Sequence, residues 1–351
     1  MEADVKKRIV VCSDGTWNRP EEDVEKDSPT NVLRLARAIK PVAADGQSQQ
    51  VFYDWGIGSY YDSVVGGATG RGINKNIMDG YRYIVQNYRP GDEIYLIGFS
   101  RGAYTARSLS GFINNVGILK RPDARLIEQA FKHYKRSGKR YAPEGEASIA
   151  FRRQHSHPSR KVAFLGVWDT VGSLGVPFSV MGLLDGKDEF YDTKVGRNVG
   201  VARHAMAIDE VRTDFEPTII KPRDADDVKQ VWFAGCHSDV GGGLMPDSNG
   251  GLLSDYPLEW IVGEAKLAGL TVETYLKNGL SDRPKSKLHP SRKKLFRFRP
   301  KYVRPIDHGH GAVLVHSSVQ RRFQADSKYR PKNLAVYLEQ VGGWSGVEVV
   351  D

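Results

Sequence analysis

The five residues Gly98-Phe99-Ser100-Arg101-Gly102 constrain this chain more than any other feature of its sequence. They close the apolar run Glu93–Phe99 and open the small-residue stretch Ala103-Tyr104-Thr105-Ala106, so a strand must turn directly into a helix at a serine. A serine on so sharp a turn takes strained backbone angles, and glycines on either side remove side chains that would collide there. The helix start also aims backbone N–H groups and the positive end of a dipole at the hydroxyl, which favours negative charge developing beside it. The pattern predicts a nucleophile elbow with Ser100 as the nucleophile.

Short apolar runs alternate with helical periodicity around that elbow. Arg8–Ser13, Val51–Trp55, Glu93–Phe99, Lys161–Trp168 and Lys229–Cys236 read as strands bounded by turns. Between them, residues such as Val32, Leu33, Leu35, Ala36 and Ile39, then Ile73, Ile77, Tyr81, Ile84 and Tyr88, recur at helical spacing, and a later helix is expected over about 257–268. Continuous apolar strands separated by helices indicate an α/β fold, a mostly parallel central sheet with helices on both faces. No stretch rich in Pro, Gly or Ser divides the 351 residues, so a single domain over 1–351 is expected. Within it, the irregular stretch 176–227 reads as a cap-like insertion over the carboxyl edge of the sheet.

Charge is distributed unevenly. The segment 281–304 carries ten Lys or Arg residues against one acid, an excess equal to the whole formal charge of +9. It interleaves Phe296, Phe298 and Tyr302 with that charge and reads as a solvated basic surface, with peripheral docking to an anionic surface as the alternative use. No nucleic-acid partner is expected. Cys12 and Cys236 are the two cysteines, too few for a disulfide framework, and both sit at the ends of apolar runs where a buried thiol is expected. No run approaches the ~18 apolar residues of a membrane span, and the N-terminal apolar run is too short for an export signal. A reducing cytoplasmic location is therefore expected.

A serine hydroxyl needs a base, and the base needs a group to orient it. In a hydrolase of this fold class the chain order is nucleophile, acid, histidine. Asp169 follows the fourth strand and His237 the fifth, and loops at strand ends of a parallel sheet converge on one crevice. The favoured set is Ser100, Asp169 and His237, with His316 as a competing base and Asp239 as a competing acid. The oxyanion donors are expected from the backbone N–H of Arg101 and from Gly15 in the loop Asp14-Gly15-Thr16-Trp17-Asn18. Asp14 itself could be a turn acid, a metal ligand or a partner of His237. His155, His157, His204 and His289 read as structural or solvent-facing. The glycine-rich Gly66–Gly72 lacks the ending of a phosphate loop, and Gly56-x-Gly58 lacks the third glycine of a dinucleotide site. No cofactor and no resident metal are expected.

Taken together, Asp14-Gly15-Thr16-Trp17-Asn18, Gly98-Phe99-Ser100-Arg101-Gly102-Ala103, Gly166-Val167-Trp168-Asp169-Thr170-Val171-Gly172 and His237-Ser238-Asp239-Val240-Gly241-Gly242-Gly243 resemble a bacterial and fungal α/β-hydrolase family of largely unknown function. That family includes the type VI secretion phospholipase effectors. The resemblance implies a Ser-Asp-His hydrolase and, for the secreted members, an esterase acting on phospholipid acyl chains. The expected activity is hydrolysis of a small-molecule or lipid carboxylic ester through an acyl-enzyme. Two other readings stay open: a non-catalytic module that docks anionic partners through 281–304, and a metal-assisted phosphoesterase using Asp14, Asp169, His237 and Asp239.

Overall fold

The computed structural model describes residues 6–15, 18, 20–23, 25–56, 70–172, 195–221, 227–278, 280, 282–292, 298 and 300–351. Its frame is one sheet of eight strands: β1 (Lys7–Ser13), β2 (Ser48–Asp54), β3 (Glu93–Phe99), β4 (Val162–Trp168), β5 (Val199–Ala207), β6 (Asp227–Phe233), β7 (Leu314–His316) and β8 (Glu348–Val350). The spatial order is β2-β1-β3-β4-β5-β6-β7-β8, and every pairing is parallel. This is the α/β architecture, a parallel central sheet with helices on both faces, that the strand pattern implied. The chain runs outward from β1 to β2 and then returns to place β3 on the other side of β1. That reversal creates a switch point between β1 and β3, where the loops at the carboxyl ends part and leave a crevice.

Helices cover both faces. On one side α2 (Gly70–Asn87), α3 (Arg101–Val116) and α4 (Ala124–Tyr134) bury Ile77, Tyr81, Leu109, Phe112 and Phe131 against Ile9, Val11, Ile94 and Leu96. On the other, α1 (Asn31–Ala38) and a helix over Asp255–Leu267 bury Val32, Leu35, Leu258 and Ile261 against Val10, Ile97 and Phe164. Alternate residues of β1 and β3 thus feed opposite cores, because side chains along a strand alternate between faces. Between these elements the chain forms α5 (Glu146–His155) and the short α6 (His237–Gly241), so the helix over Asp255–Leu267 is α7. Then follow α8 (Thr274–Asn278), α9 (Ser317–Ala325) and α10 (Lys332–Gln340), the last two packing the Met206, Trp232 and Val315 end of the sheet.

Two expectations require correction. The stretch 176–227 is not simply an insertion over the sheet: it contains β5, an interior strand paired with both β4 and β6. Its Arg203 and His204 broke the apolar run that would have announced a strand. Both are buried, with Arg203 reaching Asp227 and Glu264 and His204 facing Gln230. The basic segment is not surface throughout either, because Arg304 is wholly buried. Both cysteines are free and buried. Among the described residues, no helix is long and apolar enough to cross a membrane.

Candidate active site

The elbow forms where the sequence placed it. Ser100 sits between β3 and α3 with φ 57° and ψ −124°, a backbone conformation that costs energy for any residue with a Cβ. Its N–H donates to the Trp168 carbonyl (3.1 Å), tying the turn to the end of β4. The flanking glycines are obligatory for packing. A Cβ at Gly102 would lie 2.1 Å from the Ser13 carbonyl oxygen, and one at Gly98 would lie 2.5 Å from the Gly102 carbonyl oxygen. The start of α3 is thereby drawn down against the loop after β1.

Asp169 leaves the end of β4 just as Ser100 leaves the end of β3, since Phe99 and Trp168 are paired across the two strands. It too has a positive φ, 38°, and it is wholly buried. Its N–H donates to the Ala205 carbonyl (2.7 Å), and the next residue, Thr170, donates its N–H to His204 Nε2 (3.0 Å). Burial holds His204 at about 3, uncharged, so the ring can accept that bond. His204 is thus a brace for the acid loop.

His237 begins α6, just past β6, and its Nδ1 lies 2.6 Å from Asp169 Oδ2. That contact places the ring proton on Nδ1 and leaves Nε2 as the basic nitrogen. The ring packs at 4.6 Å between centroids on Phe99, the residue before Ser100, and edge-on to Phe215 at 4.9 Å. Catalytic hydrogen bonds in ligand-free enzymes are commonly long and tighten with substrate; among the described contacts none yet joins Ser100 Oγ to the ring. Burial lowers the His237 pKa, against the pull of Asp169 in the other direction, so the ring rests neutral.

Three surrounding side chains were not visible in the sequence. Arg304 forks onto the acid, with Nη1 2.6 Å from Asp169 Oδ1 and Nη2 3.0 Å from Oδ2. Burial alone would raise the Asp169 carboxyl, but Arg304 and His237 overcome it and hold the group well below the usual carboxylate range. Glu210, fully buried, accepts from the His237 backbone N–H (3.2 Å) and pairs with Arg212, whose guanidinium lies over the Phe215 ring. Arg304 was hidden because it ends a run of ten basic residues. Glu210 and Arg212 lie in a stretch without apolar periodicity.

The remaining candidates are placed elsewhere or used differently. His316 ends β7, three strands from β4, where its ring stacks on Phe233 and its Nδ1 accepts from Ser318 N–H at the start of α9. Asp239 belongs to a different pair: His289 Nδ1 is 2.7 Å away, and the Cys236 and His289 N–H groups donate to the same carboxylate. Asp14 accepts from Thr30 Oγ1 (2.6 Å), the Tyr53 hydroxyl (2.6 Å) and Gly15 N–H (2.7 Å). Gly15 does approach Ser100, at 3.2 Å from an added Cβ to Ser100 Cβ, but its N–H is committed to Asp14 rather than aimed at an oxyanion. Thr16 and Trp17, and most of the Gly66–Gly72 loop, lie outside the described residues. The four side chains of the metal-assisted alternative are not gathered: Asp14, Asp169 and Asp239 are each taken by different donors, and no group of three potential ligands occurs among the described residues.

Comparison with known proteins places this arrangement in context. Residues 7–264 match the family described as "T6SS, Phospholipase effector Tle1-like, catalytic domain". A yeast relative, the uncharacterized protein YEL023C of Saccharomyces cerevisiae, is 27% identical over 239 residues, covering 62% of this chain and 33% of its own. Two solved structures are similar. One is an uncharacterized protein from Pseudomonas aeruginosa (TM-score 0.47, 18% identity, 79% of this chain and 49% of that one). The other is the Tle1 effector bound to the VgrG spike of a type VI secretion system (TM-score 0.42, 21% identity, 69% and 52%). The chain therefore spans a third of its yeast relative and about half of each structure.

Proposed function

The chain belongs to the Tle1-like phospholipase effector catalytic-domain family, and from that premise we propose that it hydrolyses a lipid carboxylic ester with Ser100 as nucleophile, His237 as base and Asp169 as orienting acid. The observation that carries this reading is the short His237–Asp169 hydrogen bond beside a strained serine elbow, with Ser100 and Asp169 leaving adjacent strand ends of one sheet.

The chemistry follows from the placement. Ser100 Oγ attacks the ester carbonyl while His237 Nε2 takes its proton. The imidazolium so formed is stabilised by the Asp169 carboxylate on the opposite nitrogen. Negative charge gathers on the carbonyl oxygen, near the N-terminus of α3, where the positive end of the helix dipole favours it. The Arg101 N–H is the donor assigned there, and Gly15 contributes close approach instead of a hydrogen bond. His237 then gives its proton to the leaving alcohol. A water activated by the same ring releases the acyl group and regenerates Ser100.

A fluorophosphonate probe and acyl-chain release from phospholipid vesicles test the proposal together. Wild type should label at one site and Ser100→Ala should not, with acyl release lost in parallel. Labelling that persists in Ser100→Ala, or release that survives it, would sink the serine mechanism. Release that EDTA abolishes while Ser100→Ala leaves it intact would transfer the reading to a metal-assisted one.

A further inference from the structure

We propose that Arg304 is a positioning residue for the base: its guanidinium locks the Asp169 carboxylate in one orientation and offsets part of its charge, so that His237 meets the carboxylate from one fixed direction. This inference rests on the hydrolase reading above, but its physical content concerns the Asp169–His237 pair alone.

The geometry is that of a clamp. All four terminal N–H directions of Arg304 are used: Nη1 donates to Asp169 Oδ1 and the Ala207 carbonyl, Nη2 to Asp169 Oδ2 and the Phe215 carbonyl. Asp169 Oδ1 also accepts the Ala207 N–H (3.0 Å), leaving Oδ2 to His237. The carboxylate therefore cannot rotate, and the direction from which His237 Nδ1 meets it is set. The Asn333 side-chain amide donates to the Arg304 carbonyl (3.1 Å), and the Tyr302 N–H donates to the Val211 carbonyl, so the backbone carrying the arginine is itself pinned beside the loop after β5. A planar fork can hold two oxygens at once, whereas a lysine is a single point charge.

The charges facing His237 decide the sign. Asp169 from the end of β4 and Glu210 from the loop after β5 favour the protonated ring, and Arg212 from that same loop opposes it. On its own element, Asp239 is paired with His289 and Cys236 is a buried thiol. Phe99 and Phe215 supply no charge. Arg304, across the carboxylate, is the cation that offsets the strongest of these anions. Removing it leaves Asp169 acting on His237 with its full charge, which stabilises the imidazolium and moves its titration upward.

Histidine-labelled protein titrated by NMR, with the His237 signal assigned through His237→Gln, tests this in wild type, Arg304→Gln and Arg304→Lys. In Arg304→Gln the His237 midpoint should rise by about one pH unit or more, as expected for loss of a charge a few ångströms away. The acidic limb of kcat/KM for a soluble short-chain ester should rise with it. Arg304→Lys should keep the midpoint near wild type but shift the downfield Nδ1 proton signal of the Asp169–His237 bond, and lower kcat more than it changes KM. A folded Arg304→Gln with an unmoved midpoint overturns the proposal. If that variant does not fold, Arg304→Lys decides: an unaltered Nδ1 proton signal overturns it. Wild type that titrates as described yet hydrolyses no ester would defeat the hydrolase reading and leave the clamp standing.

Discussion

Two aspartate–histidine pairs lie close together in this molecule, and they are nearly indistinguishable by distance. Asp169–His237 and Asp239–His289 each join a buried carboxylate to Nδ1, at 2.6 and 2.7 Å. What separates them is the company each keeps. The first carboxylate has a cation, Arg304, on it, and its imidazole lies on Phe99, next to a strained serine. The second spends its remaining capacity on backbone N–H groups of Cys236 and His289, fastening the segment after residue 282 to the start of α6. An Asp–His contact is therefore no signature of a reaction centre. The neighbouring strained serine and the cation on the carboxylate make the difference.

The sharpest way to break this comparison is to remove one member from each pair. Ser100→Ala and His237→Gln should each lower kcat for ester hydrolysis on the order of 10^6, because members of one catalytic unit fail together. His289→Gln should leave kcat/KM within about twofold, while loss of a hydrogen bond to a charged group costs about 1–3 kcal/mol of stability in urea unfolding. Equal losses of activity from the two histidine variants would erase the distinction drawn here.

The acids should separate in the same way, less steeply. Asp169→Asn puts a neutral amide opposite His237, removes the preference for the Nδ1 proton and should cost about 10^4 in kcat. Asp239→Asn should slow nothing by more than a few-fold. His237 is held below the ordinary imidazole value of 6.5 by burial. The active, neutral ring therefore persists as pH falls through 6.5, and kcat/KM should decline only below it. A limb centred above 6.5 in the wild-type pH profile would show that Asp169 outweighs burial.

Much of this was legible in the sequence, and the reason is steric. Where backbone must approach backbone, as at Gly98 and Gly102, the residue type is dictated and the motif can be read directly. β3 was bounded correctly at Glu93–Phe99 because its residues are buried on both faces and turns flank it. β5 was missed because Arg203 and His204 are buried by pairing with partners far along the chain, and no local pattern records such partners. Arg304 was missed for the same reason. Gly15 shows the reverse case, since its position against Ser100 was foreseen but the commitment of its N–H to the neighbouring Asp14 carboxylate was not. His316, late in the chain after an apolar run, met the rule of chain order, yet topology carries it three strands away to cap α9. His316→Ala should accordingly keep full activity and cost about 1 kcal/mol, the usual effect of losing a helix N-cap, measured by thermal unfolding.

The smallest effect belongs to the region that dominates the charge of the chain. Arg283, Lys285 and Lys287 are exposed, whereas Arg304, counted in the same basic run, lies buried on the acid. One segment thus has two ends under different physics. In the buried fork, removing one partner leaves an uncompensated charge in a low-dielectric site, a change that costs about 3–5 kcal/mol. At the exposed end, water and salt screen each charge over roughly 8–10 Å. Reversing Arg283, Lys285 and Lys287 to Glu should therefore leave hydrolysis of a soluble ester within about twofold of wild type. Stability should change by less than about 1 kcal/mol, the scale of exposed pairs. Any association with anionic vesicles should weaken at low salt and converge with wild type at high salt, since each basic residue near such a surface contributes about 1 kcal/mol. A tenfold loss on the soluble ester would mean that the exposed end communicates with Arg304 through the chain, and the division between the two ends would have to be abandoned.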